Sequence, residues 1–338
     1  MAVVATSAMT GEAASGGGSP VKIALTGATG LVGMNLARAF SVAAAPIRCL
    51  LRPASNLSHL LRWPVIAKIV DFGSEASLED ALQGAEVLIH AAYDPVRLDA
   101  VAIEPLYRAA GRAGIRHFVY ISSSAVHAIH RGAYDISEDD PLCLDHPYAR
   151  YKHREESFLS GLREHEAVPW TVVRPGNVYG PWDLKGFMFR WFRVAPRKSI
   201  TLAGRVKNRI HLCHVDNMVA LVKRVLGNQQ AYGQVFFVAD ARAPELREIW
   251  RAMTEVFGTR LRYLPVPSWV VRGFSSFASR WPVPWAEVEL PPKLATISRI
   301  DYSLSIAKSA ALLGYDPVVD LEEGIRATAR WYRSFGVL

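Results

Sequence analysis

Cysteine is scarce in this sequence of 338 residues, which has only Cys49, Cys143 and Cys213. An odd number of cysteines at wide spacing argues against a disulfide framework, and none of the paired spacings that hold structural metal ions occurs. We therefore expect a cytoplasmic protein with reduced thiols and no bound metal ion.

Long apolar runs and an N-terminal targeting signal are also lacking. No stretch of about 18 apolar residues occurs, which excludes an ordinary membrane-spanning helix. The first twenty residues are rich in Ala, Gly, Ser and Thr, and the first lysine is Lys22. A secretory signal needs a basic start and an apolar middle, so we expect residues 1–20 to be a flexible tail. Association with a membrane surface stays open.

The sequence has no block of Lys and Arg, although its net charge is +8. The basic surplus is dispersed, with no aromatic interleaving and no zinc pattern of the kind that is typical of nucleic-acid-binding proteins. These features argue against a nucleic-acid partner and favour a small-molecule substrate.

Short apolar segments alternate with longer helical patterns from residue 21 onward. The segments are VKIAL, IRCLL, VIAKIV, EVLIHAA, HFVYIS and WTVVRP. Continuous apolar strands indicate burial on both faces, and strand–helix alternation predicts a parallel sheet. We predict an α/β fold with a doubly wound parallel sheet (Rossmann fold) over 21–182, joined by strands near 210–240. A smaller, mostly substrate-binding region is expected over 183–338.

A glycine-rich turn, TGATGLVG at residues 26–33, follows the first predicted strand. Gly27 permits a tight turn, Gly30 lets the backbone approach a pyrophosphate, and Gly33 lets the next helix pack close to the strand. An ordinary strand-to-helix turn is the alternative, but the place of the turn in the first βαβ unit favours a dinucleotide at the helix N-terminus. The residues predicted to contact the cofactor here are Gly27, Thr29, Gly30, Leu31, Val32 and Gly33.

Arg52 stands at the end of the second predicted strand, where the adenosine ribose is expected. An acidic residue there would favour the 2′-hydroxyl of NAD, and residues 48–53 contain none. Because arginine suits a 2′-phosphate, we predict NADP(H) as the preferred cofactor and NAD(H) as a possible one. A solvated charge at a strand end is the alternative.

Tyr148 and Lys152 are four residues apart and therefore share one face of a predicted helix. A nearby ammonium group lowers the pKa of a phenol, whose reference value is about 10. The strand HFVYIS runs into three serines, Ser122 to Ser124, at the sheet edge where open α/β folds bind ligands. A serine hydroxyl facing Tyr148 is one interpretation, and a plain loop is the other.

Together these motifs resemble the extended short-chain dehydrogenase/reductase superfamily, in its epimerase/dehydratase and 3β-hydroxysteroid dehydrogenase-like branch. The matching segments are TGATGLVG (26–33), Asp71-Phe72, VLIHAA (87–92), FVYISSSAV (118–126), Tyr148 with Lys152, RPGNVYGP (174–181), HVDN (214–217) and KSAALLGYDP (308–317). They are ordered and spaced over nearly the whole chain, and together they are more specific than any single motif.

The resemblance implies an NAD(P)-dependent oxidoreductase with a Tyr/Lys/Ser active site. Tyr148 would be the general acid/base, and Lys152 would hold the nicotinamide ribose while lowering the pKa of Tyr148. Ser123, with Ser124 as the alternative, would bind the substrate oxygen. The further cofactor contacts it implies are Asp71 and Phe72 at the adenine, Ala91, Ala92 and Tyr93 beyond the fourth strand, and Pro175 to Val178 at the nicotinamide.

Two positions depart from the family's pattern. Asp99 stands where the family commonly has an asparagine that helps to orient the lysine, and His127 replaces a usual tyrosine. For His127 and His130 we favour exposed loop histidines over a second acid/base. Family members often dimerise through two helices, here about 95–113 and 147–162, so the resemblance implies a homodimer.

The substrate half gives weaker signals. Nucleotide-sugar enzymes of the superfamily typically carry an Arg-Asp pair before the HVDN-like motif and an aspartate at the position of Asn217, and both are absent here. This resembles the hydroxysteroid dehydrogenase-like members. For the aromatic segment GFMFRWF and the helical stripe Val270, Phe274, Phe277 and Trp281, core packing competes with a substrate or lid role. The predicted substrate contacts are Ser124, Asn177, Phe187 and Trp191.

Three functions remain open from the sequence. The first, which the sequence favours, is NADP(H)-dependent interconversion of a ketone and a secondary alcohol on an apolar small molecule. The second is a nucleotide-sugar epimerase or dehydratase that holds NAD tightly. The third is a dinucleotide-binding regulator without catalysis, which the joint presence of Ser123, Tyr148 and Lys152 disfavours.

Overall fold

A sheet of seven parallel strands lies at the centre of the computed structural model, which describes residues 22–41, 47–93, 103–127, 132–162, 168–197, 199–203, 206–264 and 300–338. Across the sheet the strands are β3 (Ile66–Ile69), β2 (Arg48–Leu51), β1 (Ile23–Thr26), β4 (Val87–His90), β5 (His117–Ile121), β7 (Trp170–Pro175) and β11 (Gln234–Val238). The strand order reverses between β1 and β4, which is where open α/β sheets bind ligands. The predicted doubly wound α/β fold is confirmed.

Helices cover both faces of this sheet. One face carries α1 (Leu31–Ser41), α6 (Val215–Val225) and α8 (Ala307–Leu313), and the other carries α2 (Glu75–Leu82), α3 (Ile103–Arg112) and α4 (Pro147–Ser160). Successive strand residues point to opposite faces, so Leu25 enters one apolar core and Ala24 the other. Burial on both faces explains why the inner strands are continuous apolar runs.

β3 departs from the expectation that every strand is buried on both faces. It is one of the two edge strands of the sheet, and Ile66 and Ile69 are 44% and 52% exposed. Lys68, whose Nζ lies 2.7 Å from a carboxylate oxygen of Asp80, places a charge on this edge. A charged edge strand discourages pairing with another chain.

A separate apolar core lies in the C-terminal half. It is formed mainly by α5 (Phe187–Val194), α7 (Leu246–Phe257), α9 (Leu321–Ser334) and the paired strands β9 (Ser199–Ala203) and β12 (Arg260–Leu264). Two more parallel pairs lie outside the central sheet: β8 (Asn177–Tyr179) with β10 (Leu212–His214), and β6 (Ala133–Ile136) with β13 (Tyr302–Leu304). Of the predicted strands near 210–240, β11 therefore joins the central sheet and β10 does not.

Several predicted features lie outside the described residues. These are the N-terminal tail, Asp99, His130 and the stripe Val270, Phe274, Phe277 and Trp281. Within the described residues, no helix is both long enough and apolar enough to span a membrane.

Candidate active site

The glycine-rich turn connects β1 to α1 and is fixed by two of its three glycines. Gly27 has a φ of +74°, in the left-handed region that L side chains rarely adopt, and a Cβ there would lie 2.5 Å from the carbonyl carbon of Ala91. A Cβ on Gly33 would overlap the carbonyl group of Gly27. The tight turn and the close packing of α1 on β1 both depend on these glycines.

Gly30 is different, because the protein itself leaves room for a side chain there. An added Cβ would meet only the Gly27 oxygen, at 3.4 Å, and Gly30 is exposed. The N–H groups in the first turn of α1, which begins at Leu31, have no intrahelical acceptors. Open space over a helix N-terminus fits the pyrophosphate of a dinucleotide.

A cavity of about 270 Å³ lies beside this turn, at the carboxyl ends of the central strands. It brings together the predicted catalytic residues Ser123, Tyr148 and Lys152. Of the predicted cofactor residues, Val32, Ala91, Tyr93, Pro175 and Val178 line it, and of the predicted substrate residues, Asn177 and Phe187. Segments that are far apart in the sequence therefore converge on one site.

Lys152 is the buried cation of this cavity. Its Nζ donates a hydrogen bond to the Ile121 carbonyl at 2.8 Å and lies 4.7 Å from the centre of the Tyr120 ring. Burial lowers the pKa of Lys152 to about 8, although the charges of Glu155 and Glu156 oppose this shift. The ammonium form therefore prevails at neutral pH with a smaller margin than on an ordinary lysine.

We expect this pKa to be visible by NMR without any substrate. In the apoprotein, the ¹³Cε signal that disappears in Lys152→Met should titrate with a midpoint of about 8, since burial disfavours the charged form. A Lys152 midpoint above pH 10 would show that the ammonium is solvated and that the described burial is wrong.

Tyr148 lies in the first turn of α4 and is half-buried. Its ring stands edge-on to that of Tyr93, with 5.1 Å between ring centres. Burial raises the pKa of Tyr148, and a hydrogen bond from Ser123 opposes this. The lowering by Lys152 that the resemblance implies does not appear, because Nζ is engaged by the Ile121 carbonyl and lies 6.0 Å from the Tyr148 ring centre. Tyr148 is therefore a neutral phenol at neutral pH in this structure.

Among the three serines, the structure places Ser123 beside Tyr148. Ser123 precedes the short 3₁₀ turn Ser124–Val126, and its Oγ accepts the N–H of Ala125 at 3.2 Å. Ser124 is buried, hydrogen-bonded to Tyr302, and absent from the cavity lining. The geometry thus supports Ser123, the first choice from the sequence, over Ser124.

The aromatic segment divides between the cavity and the core. Phe187 lines the cavity, whereas Trp191, one helical turn later, is buried against Trp250 in the C-terminal core. The structure therefore removes Trp191 from the substrate contacts. Asn177 lines the cavity and donates its amide to the Tyr302 hydroxyl at 2.6 Å, which holds its side chain in place.

His127 is buried, which corrects the expectation of an exposed loop histidine. Its Nε2 accepts a hydrogen bond from the Arg174 guanidinium at 2.7 Å. Burial, with the Arg174 charge, lowers the pKa of His127 to about 4, so the ring is neutral at physiological pH. His127 does not line the cavity, and its role here is that of a neutral acceptor for Arg174.

Asn217 is also structural. Its amide donates to the Asp240 carboxylate at 2.7 Å, and its oxygen accepts the N–H of Val319 at 2.9 Å. The side chain is fully buried and outside the cavity lining. An asparagine here suits the anchoring of the C-terminal segment and carries no information about the substrate.

The remaining predicted cofactor residues follow the neighbouring strands at the same sheet edge. Arg52 comes directly after β2 and is exposed, and Asp71 and Phe72 follow β3. The Asp71 carboxylate accepts the N–H of Gly73 at 2.8 Å. Ala92 packs its backbone against Gly27. These residues thus lie at the strand ends along which the sequence predicts the dinucleotide.

An ion pair behind the cavity was missed from the sequence. Arg174 at the end of β7 and Glu156 on α4 are both buried, with Nη2 and Oε2 at 2.6 Å. Two signals were available: Glu156 lies four residues after Lys152 on the same helix face, and Arg174 opens RPGNVYGP. Neither signal indicates a function, because a buried ion pair of this kind contacts other protein groups and not a ligand.

The model of the NAD dependent epimerase/dehydratase family matches residues 23–239, which include the glycine-rich turn and all three predicted catalytic residues. The chain belongs to this family. Members of this family are NAD-dependent enzymes.

Relatives of different named activities resemble the chain over most of its length. UDP-glucose 4-epimerase of Vibrio cholerae is 24% identical over 329 residues, covering 92% of this chain and 95% of that protein. The 3β-hydroxysteroid dehydrogenase/Δ5→4-isomerase of Mycobacterium tuberculosis (strain H37Rv) is 24% identical over 272 residues, covering 77% of this chain and 72% of that protein.

Solved structures of this family share the fold. The UDP-glucuronic acid 4-epimerase from Bacillus cereus, in complex with NAD, aligns with a TM-score of 0.72 at 18% identity, covering 93% of this chain and 97% of that one. At this identity the likeness establishes the fold and leaves the substrate undetermined.

Proposed function

We propose that this family member transfers hydride between a nicotinamide cofactor and a secondary alcohol or ketone carbon, and that it acts as a nucleotide-sugar epimerase. The observation that supports hydride transfer is the convergence of Ser123, Tyr148 and Lys152 in one cavity beside the glycine-rich turn. This joint placement also makes a non-catalytic regulator the weaker interpretation.

The chemistry assigned to these side chains is proton handling at the substrate oxygen. The hydroxyls of Ser123 and Tyr148 are neighbours and would both hydrogen-bond that oxygen. Because Tyr148 is a neutral phenol in this structure, oxidation of the alcohol requires that it first lose its proton to solvent. The phenolate then takes the alcohol proton, and the phenol so formed returns that proton when the ketone is reduced, with the Lys152 ammonium, whose Nζ lies 6.0 Å from the ring centre, as a nearby positive charge. A bound nicotinamide would accept and return the hydride at C4.

Two observations favour epimerisation of a nucleotide sugar. The Vibrio cholerae relative, named as a UDP-glucose 4-epimerase, matches nearly the whole chain. In addition, exposed Lys207 and Arg209 lie on the segment approaching β10, the partner of cavity-lining β8, where cations suit a diphosphate.

The nucleotide released on denaturation tests this proposal. A nucleotide-sugar epimerase reuses one bound cofactor, so we expect the purified protein to release NAD and to convert UDP-glucose to its 4-epimer without added cofactor. Release of NADP(H) or of no nucleotide, together with no turnover of nucleotide sugars, would contradict it.

A second candidate is the NADP(H)-dependent interconversion of an apolar ketone and alcohol. Phe187 on the cavity wall and Arg52 at the end of β2 favour it, as does the 3β-hydroxysteroid dehydrogenase relative. Such an enzyme would consume added NADPH in step with the reduced ketone. An epimerase would show no net consumption, so the cofactor balance separates the two candidates.

Arg52 gives a prediction that holds for either substrate. Arg52→Ala should weaken NADP(H) binding about tenfold, since a charge-assisted contact to the 2′-phosphate is lost, and leave NAD(H) binding within about twofold. Arg48, which starts the same strand and donates to the Ala81 carbonyl at 2.9 Å, is the control position. Equal effects of Arg52→Ala on both cofactors would remove Arg52 from the cofactor site.

The two parts of the chain would bind different ligands, and the chain would assemble with a second copy. We propose that the dinucleotide is held by residues 21–182 and that the substrate is selected mainly by 183–338. We propose a homodimer formed through α3 and α4, and a cytoplasmic location in which Cys49, Cys143 and Cys213 stay reduced.

A further inference from the structure

A buried polar network connects the strand that leads to Ser123 with the helix that carries Lys152. The Ser122 hydroxyl donates to Oε1 of Glu156. The same carboxylate receives Nε of Arg174 at 3.1 Å and Nη2 at 2.6 Å. Arg174 also donates to the Glu138 carbonyl at 3.1 Å and to His127. The end of β5, helix α4 and strand β7 are therefore connected through one ion pair.

Residues one turn apart on α4 hold the last residue of β5 and the residue that follows it. Lys152 binds the carbonyl of Ile121, and Glu156 binds the hydroxyl of Ser122. The next residue is Ser123, which lines the same cavity as Tyr148 of α4. The distance between Ser123 and Tyr148 is thus set by contacts that α4 itself makes.

The network is costly if stability is its only purpose. Glu156 and Arg174 are each only 6% exposed, and a buried ion pair often contributes no more to stability than apolar residues of similar size. What apolar residues cannot do is fix the orientation of a neighbouring hydroxyl. Ser122 Oγ is held in this way, one residue before the group that meets the substrate.

We propose that Glu156 and Ser122 are positioning residues, which hold the Ser123 hydroxyl against the Tyr148 phenol in the geometry needed for proton transfer. Arg174 holds the Glu156 carboxylate in place through the ion pair. This proposal rests on the proposed hydride-transfer function. Glu156 and Arg174 do not line the cavity, whereas Ser122 does, and the proposal assigns Ser122 its role through the bond to Glu156 rather than through contact with the substrate.

Single substitutions test the kinetic side. We expect Ser122→Ala to lower kcat about tenfold to a hundredfold, because small misplacements of catalytic groups are costly, with KM and NAD(P) affinity changed by less than about twofold. Ser122→Thr keeps the hydroxyl and should recover most of the lost kcat. Glu156→Gln should resemble Ser122→Ala, and the serine variants decide the test if the glutamine variant does not fold.

Thr171→Val is the matched control. Thr171 is fully buried on β7, and its hydroxyl bonds the Ala231 carbonyl at 2.5 Å, but it does not line the cavity. This variant should lower Tm and leave kcat within about twofold. A kcat for Ser122→Ala that matches wild type, or a loss no greater than in Thr171→Val, would overturn the proposal.

Crystal structures of wild type and Ser122→Ala test the positioning role without any substrate. We expect the hydrogen bond between Ser123 and Tyr148 in the wild type and its loss in the variant. Retention of the bond would refute the positioning role even if the substrate stays unidentified. Conversely, a wild-type protein inactive toward every alcohol tested would count against the proposed function, while the two structures still decide this inference.

Discussion

Tyr148→Phe is expected to reduce turnover by about 10²–10⁴-fold and to leave NAD(P) affinity within about twofold of wild type. Only the phenolic oxygen is removed, and it lies in the cavity beside Ser123, where it can exchange a proton with a substrate oxygen. The glycine-rich turn, which would hold the pyrophosphate, does not depend on that oxygen. Steady-state kinetics and a cofactor titration measure both effects.

Tyr107→Phe is the matched control for this change. Tyr107 on α3 donates its hydroxyl to the Val168 carbonyl at 2.7 Å, is buried, and does not line the cavity. Its substitution should cost stability of about 1 kcal/mol and leave turnover unaltered. Retained turnover in Tyr148→Phe, or an equal loss of turnover in Tyr107→Phe, would show that the Tyr148 phenol is not the group that transfers the proton.

Alanine at the three turn glycines should separate folding from cofactor binding. Gly33→Ala should lower the free energy of unfolding by about 2–3 kcal/mol, because the new Cβ overlaps the Gly27 carbonyl in a packed turn. Gly27→Ala should also destabilise the apoprotein, since its φ is +74° and Ala91 blocks the added carbon.

Gly30→Ala should show the reverse behaviour. The apoprotein has room for the methyl group, so the free energy of unfolding should change by less than about 0.5 kcal/mol. NAD(P) affinity should fall about tenfold or more, because the methyl group occupies the space over the helix N-terminus where the pyrophosphate approaches. Denaturant unfolding and cofactor titration of the three variants check this, and a Gly30→Ala protein with unaltered affinity would place the cofactor elsewhere.

The sheet could be predicted from the sequence because its inner strands obey a simple physical rule. Strands covered by helices on both faces are apolar at nearly every position, as in residues 23–25 and 87–89, and the polar residues that end these strands, Thr26 and His90, bond each other at 2.7 Å. The same rule predicted a fully buried β3 and was wrong there, since position at the sheet edge is a property of the whole fold. The apolar composition of β3 therefore does not indicate that this strand lies at the edge of the sheet.

The candidate site shows the same division. Ser123, Tyr148 and Lys152 could be named because motif spacing places them on elements whose carboxyl ends or first turns meet at one edge. The burial of His127 could not, because it depends on contact with Arg174, 47 positions away along the chain. Likewise the pKa of Tyr148 depends on which acceptor Lys152 finds, and the Ile121 carbonyl is visible only in three dimensions.

Hydride transfer in the cavity between the glycine-rich turn and Tyr148 is the central claim, and a single-turnover measurement tests it most directly. The protein loaded with oxidised cofactor is mixed with UDP-glucose and, separately, with an apolar secondary alcohol such as a 3β-hydroxysteroid, while absorbance of the reduced nicotinamide is followed. We predict that this absorbance rises with at least one of the two substrates and rises more with UDP-glucose. The rise should be absent in Tyr148→Phe. No rise with either substrate class, or the same rise in Tyr148→Phe, would contradict the account.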